Sequence, residues 1–386
     1  MTDPVQSTRI SPRARVAPAL TRLLRAASQN RTDLSLADFS GEQIRWAIET
    51  GLGPLLRRST AGDPAARISP HWPLVDGADL TARVIADEQL RALEEIIRAC
   101  EGRTPPLTLL KGVSICAQHY PESHLRLMRD IDILVDPAAV PIVETLLLRL
   151  GYYQPSQYPA EWLAGSHHIA PLFHQETGMW VEVHRGLFSA NSEVSSDRVF
   201  SPENLRAELV SSECRGRPVN RLSDELQLVY IATHWALDLR RVGGMIAMLD
   251  LIYLLKNNRA LRWKRIFDWL DGSVASTYVY LLLSYLVRHR LVDVAPSVLH
   301  ELFSRQRSFG RINLAILHAL LDRYVTGGRE FGLLVSGRNF DRVWRSLLLP
   351  SSPARNVLLV AWNLLPYRST LMRAVVGAAR RSGAAP

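Results

Sequence analysis

The sequence predicts an α+β protein with a small mixed β-sheet core, flanking helices and a mainly helical C-terminal domain. Short β-type runs alternate with helical stretches in the middle of the chain, and two more β-type runs flank the turn residues "ETG", which is the pattern of a hairpin. From Ser223 onward the apolar residues recur at helical spacing. Strands and helices mixed in this way describe a small sheet with helices packed on it.

The composition is ordinary for a globular chain but strongly basic. Of the 386 residues, 47% are hydrophobic and 22% are charged, a balance that argues against global disorder. The length allows either two domains or one catalytic core with helical extensions. The formal charge of +9 suits polyanionic partners such as nucleotides, nucleic acid or an acidic membrane surface, but it selects none of them.

Cysteine usage and the N-terminus both indicate a reducing compartment. Cys100, Cys116 and Cys214 are widely spaced and suggest neither a disulfide framework nor a zinc site. The N-terminus lacks the continuous apolar stretch of a signal peptide, and no run approaches the roughly 18 apolar residues that a membrane-spanning helix needs. We therefore expect a cytoplasmic protein without a transmembrane helix.

The chain divides into five segments by composition and periodicity. We expect a loosely ordered N-terminal segment at residues 1–35 and a helical region at residues 36–103. A core of strands and helices follows at residues 104–220, then a helical domain at residues 221–345 and a basic helical tail at residues 346–386. Ser40 and Gln43 form a capping-box pattern at the start of a helix. Residues 69–77 are predicted as a loop, and residues 80–102 as a long amphipathic helix that ends at Gly102.

The basic tail is amphipathic and includes "YRSTLMRAVVGAARRSG". We favour a surface helix that packs its apolar face on the protein. The alternative, a helix that makes peripheral contact with a membrane, stays open.

Within the core, two short strands come first. Residues 106–112 form a β-type run that ends at Gly112, and residues 129–136 form a second strand. A helix is predicted between them, and another helix ends at Gly151. The runs "HHIAPLFHQ" and "MWVEVHR" then form the hairpin.

Two aspartates lie one position apart inside the apolar run "RDIDILV". Side chains of a strand alternate between its faces, so Asp130 and Asp132 share one face while Ile131 and Ile133 point to the other. Two carboxylates so close would repel each other, and one would tend to take up a proton. A divalent cation removes that penalty, and Mg²⁺ prefers one or two carboxylates together with phosphate oxygens and water. The alternative is a solvated strand face on which two acids meet by chance.

Cationic and small residues precede the two acids. Lys111-Gly112 ends the first strand, where backbone N–H groups at a helix start can cradle a phosphate and Ser114 can add a hydroxyl. Arg126 and Arg129 add positive charge just before the aspartates. These five residues are the candidate nucleotide-binding residues.

The second strand of the hairpin carries a third acid. In "WVEVH", Glu182 shares a face with Trp180 and His184, while Val181 and Val183 point to the opposite face. A third carboxylate on a neighbouring strand would complete a two-metal clamp on an in-line phosphoryl displacement.

In combination, these motifs resemble the polymerase-β-like nucleotidyltransferase superfamily, which has a strand ending in G-[GS], a strand with h-D-h-D-h and a strand with h-[DE]-h. Within it, "LLKG", "RLMRDIDILV", "HHIAPL" and "VEVH" resemble the bacterial family called uncharacterised nucleotidyltransferases. The resemblance is best over residues 105–190 and implies a nucleotidyltransferase catalytic core at residues 104–220.

The resemblance also implies roles for individual residues. Asp130 and Asp132 would bind the metal ions, Mg²⁺ or Mn²⁺, that hold a nucleoside triphosphate. Glu182 would be the third metal-binding and catalytic carboxylate and would help to activate the acceptor hydroxyl, and Gly112 would let the triphosphate approach. Two features depart from the superfamily pattern: Val113 replaces the second small residue, and Asp130 follows Gly112 by 18 positions.

Four histidines surround the predicted hairpin, at positions 167, 168, 174 and 184. No helical i, i+4 pair among them supports zinc, and imidazoles beside carboxylates more often serve as hydrogen-bond partners or phosphate contacts. We expect His184, and next His168, to orient a carboxylate or to contact the substrate. Asp250 interrupts an apolar helical stretch. It either faces the nucleotide cleft or, as we favour, is an acid on the helix surface or in a buried salt bridge.

The predicted function is metal-dependent transfer of a nucleoside monophosphate from a triphosphate such as ATP to an acceptor hydroxyl, with release of pyrophosphate. The acceptor stays open between a small molecule, a sugar, a peptide and a protein. One alternative keeps the fold without the chemistry, as a nucleotide- or partner-binding module. A second is a nucleic-acid-directed transferase, which the dispersed basic residues disfavour.

Overall fold

The computed structural model describes residues 19–237, 239, 244–258, 260–306 and 311–334, together with positions 344, 347 and 348. Within these residues the chain forms fourteen α-helices and seven β-strands, which confirms the predicted α+β fold class. The helices are α1 (Ala19–Gln29), α2 (Gly41–Glu49), α3 (Gly53–Ser59), α4 (Trp72–Cys100), α5 (Lys111–His119), α6 (Val140–Arg149), α7 (Ala160–Gly165), α8 (Pro202–Ala207), α9 (Asp224–Leu237), α10 (Gly244–Asn257), α11 (Trp263–Leu270), α12 (Ala275–Arg288), α13 (Pro296–Arg305) and α14 (Arg311–Leu334). The strands are β1 (Thr108–Leu109), β2 (Ile131–Leu134), β3 (Tyr152–Tyr153), β4 (Leu172–His174), β5 (Met179–His184), β6 (Leu209–Cys214) and β7 (Arg217–Leu222).

The described strands form one mixed sheet in the order β3-β4-β5-β2-β1-β7-β6. The central strand β2 pairs with β5 in the parallel sense and with β1 in the antiparallel sense, and β1 pairs with β7 in the parallel sense. Strands β4 and β5 form the predicted hairpin. The strand that carries the two predicted acids therefore lies in the middle of the sheet.

Two apolar clusters stabilise the structure. The smaller one packs α4 and α6 against the sheet and contains Ile97, Ile131 and Val181. The larger one contains Leu24 of α1 as well as Tyr278 of α12. Helices from before and after the sheet in sequence therefore share one core, rather than forming two separate helical regions.

The N-terminal segment differs from the loosely ordered stretch predicted for residues 1–35. Within it, helix α1 buries Leu20, Leu23 and Leu24 completely. Their spacing places them on one helical face, and Arg25 donates a hydrogen bond to a distant backbone carbonyl at 2.7 Å. The high arginine and serine content of the segment had hidden this amphipathic pattern. Residues 1–18 lie outside the described residues.

Helix α4 begins earlier than the sequence predicts. The residues Pro73 and Gly77 favour a loop over residues 69–77, yet the helix starts at Trp72. Pro73 lies in the first turn, where its missing N–H costs no helical hydrogen bond. Burial of Val75 then compensates for the low helix propensity of Gly77, so the predicted loop is wrong from Trp72 onward.

The region after β7 folds into helices α9–α14, as predicted. Trp344, Leu347 and Leu348 are buried, and the indole N–H of Trp344 donates to the carbonyl of Ala236 at 2.8 Å. The rest of the predicted basic tail at residues 346–386 lies outside the described residues. No described helix combines the length and the apolar character needed to cross a bilayer.

Candidate active site

The predicted acids meet where β2 and β5 run side by side. The parallel register places Asp132 directly beside Glu182. One position earlier, Ile131 and Val181 are fully buried in the sheet's apolar cluster. Alternation along both strands therefore puts Asp132 and Glu182 on one face of the sheet. Asp130 immediately precedes β2 and lines the same cleft.

Asp132 is almost completely buried and bound by two cationic side chains. Its Oδ1 atom accepts a hydrogen bond from Lys111 Nζ at 2.9 Å, and it lies 2.7 Å from His184 Nε2. Burial alone would raise the pKa of Asp132, but Lys111 and His184 outweigh burial and hold the pKa well below its ordinary value. Asp132 is therefore a fixed negative charge at neutral pH.

His184 contacts a carboxylate on β2 and a carboxylate on β5. Its Nε2 atom lies 2.7 Å from Asp132 Oδ1 and 3.4 Å from Glu182 Oε2. Burial favours neutral imidazole, but the contacts with both carboxylates raise the pKa of His184 above its ordinary value. Burial and the charge of Asp132 would raise the pKa of Glu182, but the contact with His184 and the charge of Lys111 lower it below its ordinary value. His184 does not line the cleft, so its position suits orienting the carboxylates.

Asp130 has the opposite electrostatic character. Burial and the neighbouring charge of Asp132 raise the pKa of Asp130 to about 7, although Lys111 opposes the shift. The like-charge repulsion that the sequence predicts is therefore present in the structure. A divalent cation would relieve it.

The donor set of the site fits a hard divalent cation. Asp132, Glu182 and His184 offer ligand atoms that all lie within 4.8 Å of one another, and Asp130 lines the same cleft as Asp132 and Glu182. Carboxylate oxygens are the ligands that Mg²⁺ and Mn²⁺ prefer. His184 already contacts Asp132 through Nε2, so the carboxylates are the better candidates for the metal ligands.

Lys111 is held in an unusual backbone conformation. Its φ angle is +43°, in the left-handed region that residues other than glycine seldom adopt. The N–H of Leu110 donates to the backbone carbonyl of Asp132 at 3.1 Å, so strand pairing fixes the start of the turn. Such strain costs about 1–3 kcal/mol and persists where the surroundings over-determine it. Burial disfavours the ammonium charge, but Asp132 together with Tyr230, Glu182 and Asp130 outweighs burial and raises the pKa of Lys111.

Gly112 and Ser114 differ in what they face. Gly112 lines the cleft, and a Cβ atom there would lie 2.8 Å from Met128 Cγ and 3.2 Å from Arg126 Nη1. Because Gly112 has no side chain, the turn that contains Lys111 and Gly112 can lie close to Met128 and Arg126. Ser114 is buried, and its hydroxyl donates to Gln227 Oε1 at 3.0 Å. This geometry gives no support to a phosphate contact by Ser114.

Arg126 lines the cleft and is held by the helical region. Its Nε and Nη2 atoms donate to the two carboxylate oxygens of Asp250 at 3.1 and 3.0 Å. The hydroxyl of Tyr120 also donates to Asp250, at 2.6 Å. Asp250 therefore combines the two alternatives from the sequence, because it is buried in a salt bridge and also lines the cleft. Arg129 is exposed at the cleft, and no ion pair to it is found within the described part of the chain.

The remaining histidines separate into two groups. His167 and His168 line the cleft, and their Nδ1 atoms lie 2.9 Å from Ser189 Oγ and 2.7 Å from the Ile169 carbonyl. Burial and the charges of neighbouring histidines lower the pKa of His167 to about 3. His174 instead contacts the hairpin turn. The arrangement gives no support to a zinc site built from all four histidines.

The cleft has a volume of about 380 Å³ and two chemically different walls. We call Lys111, Asp130, Asp132 and Glu182 the strand wall. The helix wall consists of Tyr230, Ile231, His234 and Trp235 of α9 with Ile246, Ala247 and Asp250 of α10. Residues 49–51, at the C-terminal end of α2, lie at the same cleft.

The helix wall contains a residue that the sequence did not single out, Tyr230. Tyr230 and His234 lie four positions apart on α9, a spacing that places both on one helical face. Burial lowers the pKa of His234 well below its ordinary value, so this imidazole is neutral. The i, i+4 spacing was the available signal, but the apolar residues around it resemble an ordinary core helix.

No curated protein and no solved structure gives a significant match to this chain. A family model described as uncharacterised nucleotidyltransferase matches residues 41–291. The matched region begins at α2, ends just after α12 and contains the complete sheet and both walls of the cleft. It covers more than half of the chain and agrees with the resemblance carried by the strand motifs. The chain belongs to the uncharacterised nucleotidyltransferase family.

Proposed function

We propose that the protein transfers a nucleoside monophosphate from a nucleoside triphosphate to an acceptor hydroxyl and releases pyrophosphate. The observation that carries the proposal is the meeting of Asp130, Asp132 and Glu182 with Lys111 in one cleft. Positive charge fixed beside carboxylates that can hold a metal is the arrangement that phosphoryl transfer needs. Membership of a nucleotidyltransferase family supports the same class of reaction.

The three carboxylates would hold Mg²⁺ or Mn²⁺, which supplies positive charge to the phosphate oxygens when it is bound. Asp132 and Glu182 both have lowered pKa values and are ionised at neutral pH. Arg126 and Arg129 add positive charge along the cleft, where the triphosphate would lie. Asp250 holds Arg126 from behind with two hydrogen bonds.

The chemical step forms a bond between the acceptor oxygen and the α-phosphorus and breaks the bond from that phosphorus to the α,β-bridging oxygen. Pyrophosphate leaves with that oxygen, and the acceptor hydroxyl loses its proton. Glu182 suits the role of proton acceptor because its side chain is 22% exposed. Asp132 suits it less, since it is 3% exposed and its Oδ1 already contacts Lys111 and His184.

A label-transfer experiment tests the proposal. The protein is incubated with each α-labelled nucleoside triphosphate, with Mg²⁺ or Mn²⁺ and with a cell extract that supplies the acceptor. We expect the wild type to transfer label and the Asp130→Ala/Asp132→Ala variant to lose transfer. Asp268→Ala is the matched control, because Asp268 is an exposed acid paired with Lys264 on α11.

The outcomes separate the alternatives. Transfer that survives the loss of both aspartates would place the chemistry elsewhere. Binding of the metal–triphosphate without any transfer would favour a nucleotide-binding module. Label recovered on added oligonucleotides, with a steep dependence on salt, would favour a nucleic-acid-directed enzyme.

A further inference from the structure

Helix α9 presents a buried polar group to the cleft. Tyr230 is fully buried and lines the cleft, yet its hydroxyl has no hydrogen-bond partner among the described residues. A buried hydroxyl without a partner costs about 1–3 kcal/mol. An unpaired hydroxyl that destabilises the free protein and lines a substrate cleft is a candidate for a ligand contact.

The ring of Tyr230 is fixed by its neighbours. Phe188 packs against it edge to face at 5.5 Å between centroids, and His234 lies at 5.9 Å. These contacts hold the ring while leaving the hydroxyl oxygen without a polar partner. The position of the hydroxyl is therefore set by packing rather than by a hydrogen bond.

The charges that act on this hydroxyl belong to the strand wall. Burial raises the pKa of Tyr230, and the charged groups that act on it are Lys111, Asp132, Glu182 and Asp130. The hydroxyl therefore stays protonated at neutral pH and can donate a hydrogen bond. Tyr230 lines the same cleft as these four residues of the strand wall.

Lys111 also has unused donors. Its ammonium group carries three N–H bonds, and one hydrogen bond, to Asp132, is found among the described residues. Tyr230 and Lys111 line the same cleft, and two donors that are not fully paired suit a ligand that only accepts, such as a phosphate oxygen.

We propose that Tyr230 and Lys111 together bind a phosphate oxygen of the triphosphate, which makes Tyr230 a nucleotide-contacting residue of the helix wall. This inference rests on the proposed function. The hydroxyl oxygen has no solvent-accessible surface in the structure, so a neighbouring side chain must move when the phosphate binds. Lys111 has the long, flexible side chain that allows such a movement.

The test measures binding of inorganic tripolyphosphate in the presence of Mg²⁺ by calorimetry, with Tyr230→Phe as the main variant. Loss of the hydroxyl should weaken binding by about 10- to 150-fold, in line with one lost hydrogen bond to a charged group. The Tm of the free Tyr230→Phe protein should be unchanged or higher, because an unpaired buried hydroxyl has been removed.

Thr233→Val is the matched control. Thr233 lies on the same helix, is fully buried and also has a hydroxyl without a partner among the described residues, but it does not line the cleft. Its replacement should leave tripolyphosphate binding unchanged. A second measurement combines Tyr230→Phe with Lys111→Met. The double variant should lose less binding energy than the sum of the single variants, because both donors act on one ligand.

Equal binding by wild type and Tyr230→Phe would overturn the inference and leave the proposed function intact. A clear fall in the Tm of free Tyr230→Phe would also overturn it, since the hydroxyl would then stabilise the fold. The inference would also be overturned if the double variant lost as much binding energy as the sum of the two single variants. Tripolyphosphate binding that depends on Tyr230, in a protein that transfers no label, would support the inference while the proposed function fails.

Discussion

The two walls of the cleft are built on different physical principles. On the strand wall, charged side chains neutralise one another, as in the contacts of Lys111 and His184 with Asp132. On the helix wall, Tyr230 and His234 are neutral, and the apolar residues Ile231, Ile246 and Ala247 line the cleft with them. The comparison indicates that the strand wall holds charge in fixed positions, whereas the helix wall shapes the cleft and supplies a few polar groups.

The strongest way to break this comparison is Asp132→Ala. The substitution removes the acceptor of Lys111 and His184 and leaves cationic groups without their buried partner. Breaking a buried ion pair costs about 3–5 kcal/mol in unfolding free energy, and label transfer should fall on the order of a thousandfold. Urea unfolding and label transfer measure the two effects. Asp132→Asn should recover part of the unfolding free energy but no label transfer. Near-normal label transfer by either variant would contradict the assignment of Asp132 to the active site.

Metal binding should depend on pH through Asp130, the strand-wall acid with a raised pKa. Because that pKa is about 7, a proton competes with the metal below pH 7. Affinity for Mn²⁺ should increase by up to about tenfold per pH unit up to about pH 7 and then level off. Ionisation of Asp130 also disfavours the metal-free fold, so its Tm should fall as pH rises from about 4 towards 7. Electron paramagnetic resonance of free Mn²⁺ measures the affinity.

Asp130→Asn is the control for that prediction. It should bind Mn²⁺ more weakly above pH 7 and should show a flatter profile below it. A profile identical to that of the wild type would assign the titration to another group.

On the helix wall, Asp250→Asn should impair label transfer less than Asp132→Ala does. The change removes the charge that holds Arg126 in the cleft. We expect the KM for the triphosphate to rise about tenfold, with a smaller change in kcat, since about 1.4 kcal/mol is lost from a charge-assisted contact. Label-transfer kinetics provide both constants. Tyr120→Phe removes one hydrogen bond to Asp250 and leaves the salt bridge, so it should change KM less; equal effects would contradict this role of Asp250.

The smallest expected effect concerns two glycines. In Gly112→Ala the new Cβ atom would meet Met128 Cγ at 2.8 Å, and a flexible methionine can yield, so the loss should be about 1 kcal/mol. In Gly77→Ala nothing lies within 4 Å of the new atom, and a helical alanine should stabilise by about 1 kcal/mol. Thermal unfolding of both variants checks the signs. A stabilised Gly112→Ala would mean that the turn does not need close approach.

The strand wall could be predicted because acids in an apolar strand contradict the pattern around them. Asp130, Asp132 and Glu182 were visible for that reason, and alternation along a strand assigned their faces. The sequence led us to expect that His184 orients a carboxylate, but it did not identify that carboxylate as Asp132, because the contact depends on the register of a parallel strand pair. The contact of Lys111 with Asp132 was not predicted, because Lys111 reaches it through a left-handed turn. The periodicity of a sequence specifies neither a left-handed turn nor the register between two parallel strands.

The helix wall could not be recognised in the same way. An aromatic residue in an apolar helix satisfies the local pattern whether it lies in a core or beside a cleft. The role of Tyr230 depends on which distant segment packs against α9. Asp250 was visible as an acid in an apolar helix, but its partner Arg126 lies 124 positions away in sequence. The helical fold of this region was predictable from spacing, whereas its contacts with the sheet were not.

The core shared by helices from both ends also affects how the protein is made. Arg25 bonds to the carbonyl of His289 and the indole of Trp46 to the carbonyl of Tyr324, across 264 and 278 positions. At a synthesis rate of about 5–20 residues per second, the first helices wait roughly 13–55 s for these partners. During that interval the leucine face of α1 is without its final cover on the ribosome. Among the described helices, α14 and the C-cap residue of α12 therefore supply these late contacts, and a chaperone that shields α1 should increase the yield of native protein.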